Sequence, residues 1–501
     1  MRKLPAVTSG LADRAFRAEA NVFVSVFCLM STVSLAAPTP PVTPVSGVEK
    51  ALLTLVGLGL LLLLPVAFDA DAERARLCFF VALGLLSAGT LGWAAFTFGR
   101  KPAGVRQDNL WLRGSTGRGS LAWLTAVVLT GFYVVLYWFS ADDGQGNFGP
   151  LNQLVHALDP LSQALRRHPA DQWFLYGTFY TLAVLVMGGR ALWKYRPSPY
   201  QQIRTVSVMF FQLGFAFLLP GLMLALQRPE YYFSYFWPLK QDYLFPGTVS
   251  YLLKDGGPGL GVFMVFWGAV MSFLATPVLT YFFGKRWYCS WVCGCGGLAE
   301  TAGDPYRHLS DKSREAWRWE VRLIYPILGL IVLITALLWL GAAGALPGWF
   351  TTPQQSGVPL LGGLSPVDGL GKVYGFFIGS IFAGVIGVGF YPLMGSRVWC
   401  RFGCPMAAYL GLLQKHFSRF RITTNGGQCI SCGNCSNICE MGIDVKQYAQ
   451  RGEPIIRAAC VGCGLCSTVC PRGVLNLENG PREGRYQGSQ LITAESLRIL
   501  S

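Results

Sequence analysis

Charge and histidine are what this chain has least of. Charged residues make up 13% of its 501 positions, against about 25% in an ordinary soluble domain. So lean a content cannot cover the surfaces of several soluble domains, which excludes the three-domain reading that the length alone invites. A hydrophobic content of 52% and a mean hydropathy of +0.40 place most of the chain in lipid. The four histidines exclude a transmembrane haem ladder: His156 and His168 fall in one inter-span segment, His308 and His416 in two others. No C-x-x-C-H for covalent haem and no phosphate-binding glycine loop occurs either. Collagen-like, disordered and small disulfide-scaffold classes are excluded by composition.

Long apolar runs are what the chain has instead. A membrane-crossing helix needs about 20 mainly apolar residues, and eight runs qualify: 51–68, 77–98, 121–140, 173–193, 205–225, 259–284, 322–342 and 373–395. A weaker ninth, 20–37, is interrupted by Asn21, Ser25, Ser31, Thr32 and Ser34. Lys and Arg number 5, 4, 7 and 12 in segments 99–119, 190–204, 285–322 and 396–501, but 2, 3 and 1 in 141–172, 226–258 and 343–372. The excess of positive charge marks the cytoplasmic side, so the first set, with the C-terminus, is expected inside. Much of the net charge of +15 is then a topology signal, and lipid headgroups account for the basic stretches without nucleic acid. The N-terminus is ambiguous, because Arg2, Lys3, Arg14 and Arg17 oppose the side that a ninth span would give it. A segment lying in the interface, a ninth helix, or a signal peptide cleaved near Ser34-Leu35-Ala36 each resolves the conflict.

Fifteen cysteines carry the chemistry. Cys28 and Cys78 lie in apolar runs and read as small hydrophobes. The other thirteen all fall in segments assigned to the cytoplasm, where thiols stay reduced and serve metals or redox work. Cys429-x2-Cys432-x2-Cys435-x3-Cys439 and Cys460-x2-Cys463-x2-Cys466-x3-Cys470-Pro471 have the spacing of a bacterial two-cluster ferredoxin, in which the fourth cysteine of each run ligates the other cluster. The expected sets are Cys429, Cys432, Cys435 and Cys470 for one [4Fe–4S], and Cys460, Cys463, Cys466 and Cys439 for the other. Two zinc ribbons would not explain the same run twice. Glu440 stands where proline is expected after Cys439, which alters the turn but removes no ligand.

A second pattern is duplicated. Gly284-x-Arg286-x-Tyr288-Cys289-x3-Cys293-Gly294 and Gly395-x-Arg397-x-Trp399-Cys400-x3-Cys404-Pro405 each close an apolar run that contains a proline, Pro277 or Pro392. Each pair of sulfurs is expected about one helical turn apart. Facing each other, the pairs supply four thiolates, Cys289, Cys293, Cys400 and Cys404, to a further metal or cluster; packed, reduced cysteines are the bland alternative. Cys295 is a spare fifth thiol. Polar groups within the runs are few: Gln212 suits a quinone carbonyl or a neighbouring helix, and Arg190 is placed to snorkel to the surface. The aromatic segment 230–245 reads as an interface belt, or with Glu230 and Asp242 as the border of a quinol pocket. Residues 405–421 read as a basic amphipathic helix on the inner membrane surface, and 307–322 mixes basic and tryptophan residues similarly.

At these residues the chain resembles the NapH/NosR-like membrane-bound polyferredoxins over roughly 200–480. The resemblance implies membrane electron transfer, with a quinone or quinol pool on one side and a redox partner protein or reductase subunit on the other. Gly294 departs from the family pattern, which has proline there, and no flavin domain is present. The copper-reducing CcoG-like branch is a lesser resemblance, since only about thirty residues follow Cys470.

The expected architecture is a membrane all-α polytopic bundle of eight or nine spans in the inner (plasma) membrane, with a C-terminal α+β two-cluster ferredoxin-like domain on the cytoplasmic side. Its parts are an N-terminal segment (1–50), transmembrane helices (51–284 and 322–395), a loop with the first C-x3-C motif (285–321), the second motif and linker (396–425), the ferredoxin domain (426–480) and a polar tail (481–501). The expected function is iron–sulfur electron transfer as an oxidoreductase component linked to quinone. A copper reductase or metal-centre maturation factor, and a redox-sensing membrane regulator, are the alternatives. No catalytic side chain is assigned.

Overall fold

The computed structural model describes residues 46–66, 71–100, 116–144, 146–256, 259–351, 365–425 and 428–480. The candidate ninth span at 20–37 and the tail at 481–501 lie outside them. The chain divides into two units, Met1–Lys50 and Ala51–Ser501. Of the first, the described residues begin a helix whose end is closed reciprocally. Glu49 N–H donates to Ser46 Oγ (3.2 Å) and Ser46 N–H to the Glu49 carboxylate (3.0 Å), a capping box.

Eight helices among the described residues are long and apolar enough to cross a membrane: α1 (Gly47–Val66), α2 (Glu73–Gly99), α3 (Ser120–Phe139), α4 (Gln172–Lys194), α5 (Pro199–Ala225), α6 (Leu260–Phe283), α7 (Arg314–Ala342) and α8 (Pro366–Gly389). These are the eight runs expected from the sequence, and the protein is a multi-pass membrane protein. Exposed leucine, valine and phenylalanine cover the outer faces of these helices, for example Leu61, Leu124, Val127, Phe266 and Leu274, as lipid requires. Helix α9 (Pro405–His416) then leads into a small domain with one antiparallel pair, β1 (Arg421–Thr424) and β2 (Leu475–Glu478). Two short helices in this domain, Asn434–Asn437 and Leu465–Thr468, start after Gly433 (φ 77°) and Gly464 (φ 74°). Both glycines occupy the left-handed region that a side chain would strain, which is why each cysteine run turns at its second ligand position.

Three expectations change. Helix α9 is not a surface helix: Met406, Ala407, Ala408, Leu410, Gly411 and Gln414 are buried. Small residues let it pack closely, so that a Cβ on Gly411 would meet the Ala458 carbonyl at 2.8 Å. Arg190 does not snorkel, being fully buried with Nη1 2.8 Å from Asp304 Oδ2. The aromatic segment is no belt either. It folds back into the body, burying Tyr231, Phe236, Trp237 and Tyr243. Ser234 C=O accepts from the Tyr288 hydroxyl (2.9 Å), and Trp237 Nε1 donates to Thr335 Oγ1 on α7 (3.1 Å). Glu230 is taken up by the Tyr232 hydroxyl (2.6 Å).

Candidate metal centres

The two C-x3-C motifs fold alike. Cys293 N–H donates to Tyr288 C=O (2.8 Å) and Cys404 N–H to Trp399 C=O (2.9 Å), so each pair is closed by a wide turn rather than a regular α-helical one. Gly284 (φ 69°) and Gly395 (φ 95°) take positive φ ahead of each motif. Cys293 and Cys404 each sit in extended conformation at the start of a helix, Gly294–Glu300 and α9. The duplication read in the sequence is therefore a structural one.

It brings Cys289, Cys293, Cys400 and Cys404 into one buried cluster. Burial pushes the Cys289 thiol up to about 12, and pushes Cys400 and Cys404 upward as well, with each thiol raised further by others of the four. Cys293 is raised first by its hydrogen bond with Cys295, then by burial. Four such thiols stay neutral unless a cation draws off their protons, which is what a metal does. A single guanidinium joins the motifs: Arg397 Nη1 donates to Cys289 C=O (3.1 Å) and lies 3.6 Å from Cys400 Sγ. Its counterpart Arg286 has another task, stacking 4.7 Å over the Phe420 ring.

This site is recessed into the bundle. Along α5, Gln201 donates to Cys463 C=O (2.8 Å), Ser207 to Trp291 C=O (3.0 Å), and Gln212 lies beside Gly294. Gln212 is thus about 16 Å deeper than Gln201 at ~1.5 Å per residue. Gly294, where the second motif has Pro405, leaves room for two polar groups. A Cβ there would overlap the Tyr235 hydroxyl and stand 2.7 Å from Gln212 Oε1. The Tyr235 hydroxyl thus lies directly against the Gly294 backbone. Gln212 is buried, with Nε2 donating to Thr181 Oγ1 on α4 (3.0 Å) and Oε1 without a partner. Gly294→Pro should therefore lower the iron content of this site while leaving the dicluster domain loaded, because its ring would displace Tyr235 and Gln212. Unchanged iron in that variant would contradict this account.

The eight ferredoxin-type cysteines separate into the two crossed sets. Cys429, Cys432, Cys435 and Cys470 line one cavity with about 360 Å³ of open space. Cys439, Cys460, Cys463 and Cys466 line another of about 390 Å³. Burial raises Cys435, Cys460 and Cys463 to about 11. Four sulfurs around one zinc would lie about 3.8 Å apart, given Zn–S bonds of ~2.3 Å. Among the described residues no three His, Cys, Asp or Glu converge so as to hold a single ion. The four cysteines of each set instead line a common recess, as the separate corners of a cubane require; the donors fit [4Fe–4S] clusters.

The second cavity abuts the recessed site. Ser290 Oγ donates to Val461 C=O (2.9 Å), Gln414 Nε2 to Cys460 C=O (2.8 Å), and Lys285 Nζ to Ala458 C=O (3.2 Å). Lys285 acts on both Cys289 and Cys460. A buried ionic network, invisible in the sequence, completes the junction. Asp304 accepts from Arg190, Lys194 (2.7 Å), Tyr195 (2.6 Å) and Arg307 (2.9 Å). Glu300 pairs with Arg204, Arg307 (2.9 Å) and Arg397 (2.6 Å). Glu440 pairs with Arg307 and lies 3.1 Å from Arg397 Nε. Five cations face three carboxylates, and the excess is turned towards sulfur: Arg204 and Arg307 act on Cys463, Arg397 on Cys400.

Comparison with known proteins agrees with this geometry. Segments 265–313 and 375–423 both match a family described as a 4Fe-4S binding domain, and 428–475 matches a 4Fe-4S dicluster domain. The chain is 29% identical over 189 residues to the "Putative electron transport protein YccM" of Escherichia coli (strain K12), covering 36% of this chain and 49% of that protein. It is 28% identical over 160 residues to the "Methylamine utilization ferredoxin-type protein MauN" of Methylobacillus flagellatus, covering 32% and 50%. The chain thus spans about half the length of these curated relatives and is distantly related to them. No solved structure matches.

Proposed function

We propose that this protein is a membrane iron–sulfur electron carrier of the NapH/NosR-like kind, exchanging electrons between a quinone pool and a redox partner. The dicluster domain would lie on the cytoplasmic face of the plasma membrane, the side favoured by the excess of Lys and Arg. Cys429, Cys432, Cys435 and Cys470 would hold one [4Fe–4S] cluster, Cys460, Cys463, Cys466 and Cys439 a second, and Cys289, Cys293, Cys400 and Cys404 a third. Bound there, such clusters supply one-electron donors and acceptors. The observation that carries the reading is the junction of the recessed cysteines with the second cavity of the dicluster domain, made through Lys285, Ser290 and Arg397. The excess of buried cations supports anionic thiolate clusters at these positions, since buried positive charge needs a negative neighbour.

For quinone, the unpartnered Gln212 Oε1 and the Tyr235 hydroxyl are the polar groups beside the recessed cysteines. Gln212 accepts a hydrogen bond from a quinol hydroxyl, and Tyr235 donates one to a quinone carbonyl. Purified protein should contain about twelve iron per chain rather than about eight. Under anaerobic conditions a menaquinol analogue should reduce its clusters, as read by EPR, and Gln212→Leu should slow that reduction while the iron count holds. Full iron content without reduction by any quinol would remove quinone from the reading and leave the cluster assignment standing.

A further inference from the structure

The two dicluster cavities differ in what they face. The second is enclosed: Cys460 and Cys466 are buried, Tyr200 and Gln201 of α5 close it from the membrane side, and Arg286 covers Gly462. The first opens to solvent. Its lining includes exposed Ile430 (57%), Ser431, Cys432, Pro471 and Arg472. The charges in that lining are Lys446 and Arg472, with no carboxylate. Neither is ion-paired among the described residues, so their charge is available to a partner. An apolar spot beside a redox centre, flanked by unpaired charge, suits a brief encounter with a small interface.

We infer that the Ile430–Cys432 and Pro471–Arg472 edge is the docking face for a soluble, acidic one-electron carrier protein, and that electrons cross the dicluster domain in one spatial order. The enclosed set, Cys439, Cys460, Cys463 and Cys466, communicates with the membrane body. The open set, Cys429, Cys432, Cys435 and Cys470, communicates with the carrier. In the encounter one electron passes between carrier and open set, so that one is oxidised and the other reduced, with no bond made or broken. The inference rests on the cluster assignment proposed above but is indifferent to quinone.

The probe is a purified acidic flavodoxin, titrated onto the cluster-loaded full chain in nanodiscs, with binding followed by surface plasmon resonance at low and high salt. Binding should weaken steeply with salt, because exposed charges are screened beyond about 10 Å at ~0.1 M. Lys446→Glu with Arg472→Glu should weaken low-salt binding at least about tenfold, chiefly through the association rate. Arg314→Glu, an exposed charge outside this face, should change it little. Ile430→Asp should weaken binding at both salt levels. Visible absorbance reports cluster retention, which separates a lost face from a lost cluster. Equal affinity for wild type and the double reversal, or equal loss in Arg314→Glu, overturns the docking face. Loss of cluster absorbance in the unsubstituted protein would instead undo the assignment on which it rests.

Discussion

Glu440→Gln is expected to loosen the dicluster domain from the membrane body. The Glu440 carboxylate is buried, pairs with Arg307 and lies against Arg397, while its own carbonyl accepts from Ser310 Oγ (2.6 Å). Glutamine keeps the size and the carbonyl acceptor but removes the charge. The local balance, already five cations to three carboxylates, then becomes five to two. Taking one partner from a buried pair costs about 3–5 kcal/mol, because the remaining charge stays in low dielectric. Ser310→Ala removes only a neutral hydrogen bond and should cost about 1 kcal/mol. The measurement is urea-induced release of the domain, followed by limited proteolysis near residues 417–420. Glu440→Gln should cleave at clearly lower urea than wild type, and Ser310→Ala near wild type. Matching profiles for all three proteins would mean that the ionic junction does not hold the domain in place. Arg307→Gln in the Glu440→Gln background should cost less than the sum of the two single changes, since one substitution removes the charge the other orphans.

The junction shows where sequence reading stopped. The eight spans were legible because each is a continuous apolar run, and the dicluster domain because its cysteine spacing occurs twice. Glu440 was visible as a departure from proline, but its partners Arg307, Ser310 and Arg397 come from other segments, the first two more than one hundred residues away. Arg190, Lys194, Arg204, Arg307 and Arg397 entered the count of positive charges on one side of the membrane, yet all five are buried in the protein rather than displayed to headgroups. A charge count cannot separate an arginine that orients a loop from one that binds a carboxylate. The same limit applied to 230–245 and 405–421. Aromatic and basic residues suggested an interface, whereas Tyr235 meets the glycine at 294 and Gln414 reaches Cys460. The sign in the sequence was a small residue on each side: Gly294, which meets Tyr235, and Gly411, which meets Ala458 near the Gln414 contact.

Cys439→Ser should damage the enclosed cluster and spare the open one, although Cys439 belongs by sequence to the run that forms most of the open set. Its side chain lines the cavity of Cys460, Cys463 and Cys466, while Cys470 lines the other. Serine is a poor ligand to an iron that prefers thiolate, so the affected cubane should be lost, with about four iron per chain. Anaerobic alkylation followed by mass spectrometry locates the damage, because cluster-bound thiolates resist alkylation and released thiols do not. In Cys439→Ser, Cys460, Cys463 and Cys466 should become labelled while Cys429, Cys432, Cys435 and Cys470 stay protected. Cys470→Ser should expose Cys429, Cys432 and Cys435 and leave the enclosed set closed. Ligation confined to each run would give the reverse pattern in both variants. The functional effects should also diverge. On the electron path proposed above, Cys470→Ser should break exchange with the soluble carrier and leave the enclosed set reducible from the membrane side. On the same proposed path, Cys439→Ser should interrupt transfer between the recessed site and the open set, so that a quinol no longer reduces the open cluster while the carrier still does.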